Sequence, residues 1–190
     1  MKKNILFAAV ATTVFFVSCS KKDTTPVVVA PTVKTKSITV NFSQTSSFTF
    51  FSFRDTTVIA NADSATAKWD FALRLTTFLV NSNASGPGNA GAILLDGVYS
   101  SISEAPVTGY AYDTTSSQRA IKDGSWYNYN PTTHSFVPKA GKVFMFRTAD
   151  GHYAKMELLD VNYEPFVGPT PQRLVYRFQY TYQPNSSNKF

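Results

Sequence analysis

Residues 142–160, KVFMFRTADGHYAKMELLD, decide how the rest of the chain reads. Asp150-Gly151 separates two runs of aromatic and aliphatic residues, and Asp-Gly tolerates the positive φ angles of a type I′ turn. The stretch therefore predicts a β-hairpin. With a two-residue turn, Arg147 opposes Ala154, Met145 opposes Met156 and Val143 opposes Leu158, each pair sharing a face. The other face carries Phe144 and Phe146 with Tyr153, Lys155, Glu157 and Leu159. Neither side is polar throughout, so the hairpin is expected well inside a sheet.

Strand patterns extend outward from it. In residues 173–182, RLVYRFQYTY, alternation puts Leu174, Tyr176, Phe178, Tyr180 and Tyr182 on one face. Upstream, Ile38, Val40 and Phe42 alternate with Thr39 and Asn41, and Phe48, Phe50 and Ser52 alternate with Thr49, Phe51 and Phe53. Trp69-Asp70-Phe71-Ala72-Leu73-Arg74 is a further apolar run, with Trp69, Phe71 and Leu73 sharing a face if extended. Residues 63–68 could form a helical turn before it. Residues 92–95, 109–112, 126–129 and 134–138 also read as strands, the last two joined by Asn130-Pro131-Thr132-Thr133, which has turn chemistry. Aromatics make up 15% of the chain, with sixteen Phe and ten Tyr; such residues fit pleated, half-buried surfaces. The expected fold is all-β, one antiparallel domain over residues 37–190 with at most one short helix. The 190-residue length suits a single core.

The beginning of the chain has a different character. Lys2 and Lys3 precede an apolar stretch from Ile5 to Val17 and a small Ser18, the layout of a secretory leader too short for a comfortable membrane span. Phe16-Val17-Ser18-Cys19 is similar to a bacterial lipobox with Phe in place of Leu. It implies a signal peptide over 1–18, cleavage before Cys19 and lipid on its sulfur, the only cysteine in the chain. Acyl chains gain about 0.8 kcal/mol per buried CH₂, so several on one residue would anchor the domain without a helix. Residues 19–36 carry two prolines and many β-branched residues and read as a flexible tether.

Several function classes fare badly. The formal charge of +6 contains no run of five basic residues, and the aromatics are spaced as strand fillers, which argues against nucleic-acid binding. One cysteine makes no internal disulfide, and Cys19, His134 and His152 do not supply a zinc site. The glycine-rich loop 81–91, NSNASGPGNAG, lacks the Lys-Ser/Thr ending of a phosphate-binding loop. There is no Gly-x-Ser-x-Gly elbow, and the scattered Asp70, Asp96, Glu104, Asp160 and Glu164 propose no catalytic pair. The chain does not read as an enzyme. His152 directly follows the Asp-Gly turn, where a solvated polar residue is expected anyway. His134, beyond the Pro-Thr-Thr turn and flanked by Tyr129 and Phe136, is the better iron ligand. Met145 and Met156, side by side on one face, could not flank a flat ring from opposite sides.

Taken together, the lipobox at Cys19, the Trp69 to Arg74 run, the 81–91 loop, Gly124-Ser125-Trp126-Tyr127, Arg147-Thr148-Ala149-Asp150-Gly151-His152-Tyr153-Ala154-Lys155 and the ending Tyr180-x-Tyr182 resemble the HmuY family of bacterial haem-binding lipoproteins. The resemblance spans nearly the whole mature chain. It implies a β fold, lipid-anchored at the outer membrane and facing the cell surface, that captures haem or a porphyrin and passes it to a TonB-dependent receptor. The founding type of the family holds iron with two histidines, one in a long segment before the Gly-x-Trp strand and one shortly after that strand. His134 falls near the second position. The first region is short here, and residues 113–123 contain neither His nor Met. His134 with water, His134 with Tyr127 or Tyr129, and no iron ligation all remain open. The alternative is an accessory lipoprotein on the same scaffold that binds an outer-membrane partner instead of haem.

Overall fold

The computed structural model describes residues 29–43, 45–168 and 170–190. The expected signal peptide, Cys19 and most of the expected tether lie outside the described residues. Among the described residues eleven strands follow in order: β1 (Val33–Asn41), β2 (Thr49–Ser52), β3 (Thr57–Ile59), β4 (Phe71–Arg74), β5 (Thr77–Val80), β6 (Gly91–Asp96), β7 (Tyr127–Asn130), β8 (Ser135–Pro138), β9 (Lys142–Arg147), β10 (Tyr153–Val167) and β11 (Thr170–Gln183). The helical content of the described residues is two short 3₁₀ turns, Asn61–Asp63 and Tyr99–Ser101. The fold is all-β, as expected.

A five-stranded sheet ordered β1-β11-β10-β9-β6 faces a four-stranded sheet ordered β3-β2-β4-β5, and β7 and β8 form a separate ribbon. The pairings are antiparallel. Alternation gives each sheet an inner face rich in rings. Phe51, Phe53, Phe71 and Phe78 from the smaller sheet meet Phe144, Phe146, Phe178 and Tyr180 from the larger one, all fully buried or nearly so. Phe53 and Phe146 lie with centroids 5.0 Å apart, Phe78 and Phe144 4.9 Å, and Phe51 and Phe178 5.3 Å. Each such side chain contributes about 1.5–3 kcal/mol through removal from water.

Four sequence expectations are corrected. β1 begins at Val33, paired with Thr181, so residues 33–36, expected in the tether, belong to the sheet. Their β-branched residues suit an edge strand, and Lys34 and Lys36 are tolerated there. Trp69 does not share a face with Phe71 and Leu73. It precedes β4 and packs with Phe50, Ala72 and Leu79 on the outer side of the smaller sheet, where its ring meets Phe50 at 4.9 Å. The 81–91 loop covers that ring: Asn81 Nδ2 donates to the carbonyls of Thr66 and Trp69, and the Gly88 N–H donates to Asn81 Oδ1. Residues 109–112 do not form the expected strand; only Ala111 bridges Ala92.

The fourth correction concerns the central hairpin. It forms, but Tyr153 pairs with Arg147, Ala154 with Phe146, Lys155 with Met145 and Met156 with Phe144. The loop is three residues, Ala149-Asp150-Gly151, closed by the Gly151 N–H to the Thr148 carbonyl and the Thr148 N–H to the His152 carbonyl. Gly151 takes φ +83°, the left-handed position of a three-residue hairpin loop. One added loop residue slips the register and exchanges partners between faces. Met145 and Met156 therefore stand on opposite faces: Met156 joins the core between the sheets with Phe144, Phe146 and Ala154, and Met145 lies on the outer side with Lys155.

Candidate functional site

The β7–β8 ribbon carries the residues that sequence reasoning singled out. Tyr129 pairs with Phe136 and Tyr127 with Pro138, so residues 127, 129 and 136 share one face, and His134 adjoins it. Phe136 is the anchor. It is buried among Trp126, Tyr127, Tyr163 and Tyr176, and its N–H donates to Tyr163 Oη at 2.7 Å. Trp126 Nε1 reaches the Thr76 carbonyl at 3.2 Å and Tyr176 Oη reaches the Leu75 carbonyl at 2.5 Å. The ribbon is thus fixed to the β4–β5 turn, where Leu75 holds φ +47°.

His134 ends the turn after Asn130, whose Oδ1 accepts from the N–H groups of Thr132 and Thr133. His134 itself has φ +51°. Its Nδ1 lies 2.9 Å from Tyr129 Oη, and Nε2 makes no hydrogen bond among the described residues. The imidazole edges a groove of about 420 Å³, with Phe42, Tyr163, Phe166 and Pro171 as its apolar walls. That volume is within the range of small-molecule sites. Phe166 in the wall and Tyr129 beside His134 are largely exposed, 61% and 54%.

Tyr127 serves a different hollow. Its hydroxyl donates to Asp123 Oδ1 at 2.8 Å, at the end of a groove of about 610 Å³ between Thr76–Phe78 and residues 116–123. Burial, and then the bond to Asp123, raises the Tyr127 pKa. That opposes the phenolate form an iron-ligating tyrosine adopts. The shortened segment lines this second groove with Arg119, Lys122 and Asp123. The structure therefore brings His134 and Tyr129 together and sets Tyr127 apart.

Phe42, Tyr163, Phe166 and Pro171 were missed from the sequence. β10 runs to Val167, past the expected end of the hairpin at Asp160, because a bulge between Leu158 and Asp160 resets its pairing with β11. The alternation of Val161 and Tyr163 was the available signal. His152 stands at the hairpin tip with Nδ1 3.2 Å from Asp150 Oδ1, away from both grooves.

Among solved structures, the apo HmuY analog TFO of Tannerella forsythia matches with a TM-score of 0.55 at 16% identity, over 81% of this chain and 98% of that one. The chain has the HmuY-type fold. Apo PinO of Porphyromonas gingivitis matches with a TM-score of 0.50 at 14% identity, over 80% of this chain and 98% of that one. No protein-family model and no curated protein matches the chain. Within this HmuY-type fold, the groove beside the ribbon has apolar walls and an imidazole at its edge. His134 is the imidazole at that groove, and Tyr129 Oη lies at its Nδ1.

Proposed function

We propose that the protein is a haem- or porphyrin-binding lipoprotein of the outer membrane that takes part in haem and iron acquisition and is not an enzyme. The observation that carries this reading is the His134–Tyr129 pair at the lip of the groove walled by Phe42, Tyr163, Phe166 and Pro171. A ligating imidazole donates its other N–H to a neighbouring acceptor, which fixes tautomer and ring orientation. In the tautomer whose Nδ1–H donates to Tyr129 Oη, Nε2 is unprotonated and available as a ligand. Bound haem would supply an iron centre for axial ligation and a broad apolar surface for the walls. The lipobox-like sequence at Cys19 supports a lipid anchor, and the family resemblance supports delivery to a TonB-dependent receptor.

Titration of the protein with haemin, followed in the Soret region, tests the reading. A saturable shift is expected, and His134→Ala is expected to change its position and weaken binding at least about tenfold. No shift in the parent protein removes the haem function, while an unchanged spectrum in the variant removes only His134. The anchor has its own measurement: the full chain should incorporate an alkyne-tagged fatty acid, and Cys19→Ala should not. A second reading is favoured by the 116–123 groove, which lacks His and Met. In it the same scaffold docks on an outer-membrane partner without haem, and haemin leaves the Soret band where it stands in buffer.

A further inference from the structure

A buried cation that makes no ion pair among the described residues sits on the outer face of the five-stranded sheet. Lys155, in β10 opposite Thr181 of β11, is only 5% exposed. Its Nζ donates to the carbonyls of Tyr99, at 3.1 Å, and Ile102, at 2.5 Å. The ammonium lies 4.6 Å from the ring centre of Tyr99 and 5.1 Å from that of Phe190. These neutral partners offset part of the cost of burying a charge, yet no acidic group among the described residues forms an ion pair with it. Glu157, two residues along the strand, instead accepts a hydrogen bond from Gln179 Nε2 at 2.7 Å. The Thr181 hydroxyl is engaged with Tyr99 Oη at 2.7 Å. Desolvation accordingly holds the Lys155 pKa below the usual lysine range.

Lys155 is one wall of a hollow of about 490 Å³, whose other walls include Val33, Val98, Ser100, Glu157 and Phe190. It shares no lining residue with the His134 groove or the 116–123 groove. A lysine serving only to cap the Tyr99–Ser101 turn would account for the two carbonyl contacts but not for the hollow that Lys155 helps to wall. We propose that this hollow is a second binding site, for a small organic monocarboxylate. Its carboxylate pairs with Lys155 Nζ in a charge-assisted hydrogen bond, and its apolar body lies against Tyr99, Val98 and Phe190. Glu157 in the wall disfavours a second negative charge on the ligand. The proposal does not depend on haem binding.

Benzoate is a suitable probe, with benzyl alcohol as its neutral counterpart. In NMR titrations of the whole protein, benzoate is expected to shift the Lys155 side-chain resonances saturably and to raise the pH at which they titrate. Benzyl alcohol is expected to bind at least about tenfold more weakly. Ser100 is exposed, so Ser100→Trp should fill the hollow without disturbing the Lys155 carbonyl contacts, and it should abolish the benzoate shift. Lys155→Met should abolish binding as well; if that variant does not fold, Ser100→Trp still decides the matter. No movement of Lys155 with benzoate, equal binding of benzyl alcohol, or unchanged binding in Ser100→Trp would each overturn the proposal.

Discussion

His134 adopts a backbone conformation that a non-glycine residue holds at a cost of about 1–3 kcal/mol. The Asn130-centred turn and the Tyr129 contact fix it there. Because Tyr129 Oη touches Nδ1, the hydroxyl controls which imidazole nitrogen is free. Tyr129→Phe is therefore expected to weaken haemin binding by about ten- to a hundredfold. Circular dichroism and thermal unfolding should be unaffected, since the side chain is more than half exposed. Tyr127→Phe makes the comparison decisive. It removes a hydroxyl bonded to Asp123 at the other groove, so the haemin titration should remain that of the parent. If Tyr127→Phe is the damaging variant and Tyr129→Phe is silent, the pigment lies against residues 116–123 and His134 is not its ligand.

At the scale of elements, two glycines test two different physical demands. Gly151 has φ +83° and nothing within 4 Å of the position a Cβ would take, so Gly151→Ala isolates the backbone cost of the left-handed loop position. That cost is about 1–2 kcal/mol, which should lower Tm by roughly 2–4 °C per kcal/mol in a domain of this size. A Cβ at Gly86 would run into Asn81 Oδ1 and the Trp69 ring. Gly86→Ala should therefore lower Tm further, by prising the 81–91 loop from the smaller sheet, and equal losses in the two variants would contradict this assignment. The contrast also marks what the sequence could reveal. Alternation placed most strands of both sheets, and Leu174, Tyr176, Phe178 and Tyr180 are inward as their spacing requires. Asp-Gly announced a turn without specifying whether the loop held two residues or three, and that one residue decides the faces of Met145, Met156 and Lys155. The groove walls were harder to read: the alternation of Val161 and Tyr163 signals that the strand continues, but the bulge before them, which resets their pairing, leaves no local mark. His134 and Tyr129 were legible because a turn between two short aromatic strands brings residues five apart face to face.

For the molecule as a whole, the two sheets are joined by rings and by one buried carboxylate. Asp70 Oδ2 accepts from the Phe53 N–H at 2.7 Å, on the smaller sheet's side, and Oδ1 accepts from the Ala149 N–H at 2.8 Å, in the β9–β10 loop of the larger sheet. Burial raises the Asp70 pKa from 3.8 to about 6, against the opposing pull of those two N–H donors. A carboxyl with a raised folded pKa keeps its proton in the folded state over a range where the unfolded chain has released it. Its contribution to stability therefore falls as pH rises from about 4 to about 6, by on the order of 3 kcal/mol, and is flat above. Asp150 works in the opposite sense. Burial pushes its carboxyl up, but hydrogen bonds from Thr148 and Tyr182, with His152 nearby, outweigh burial and hold the pKa below 3.8. Its stabilisation is lost only as pH falls below that value. Urea midpoints measured between pH 4 and pH 7 should show the decline, and Asp70→Asn should abolish it. At pH 7 the same variant should be less stable by about 1–3 kcal/mol, because an amide NH₂ then faces one of the two backbone donors. A parental pH slope that survives in Asp70→Asn would assign the titration to another group and reduce Asp70 to a pH-independent hydrogen-bond acceptor between the sheets.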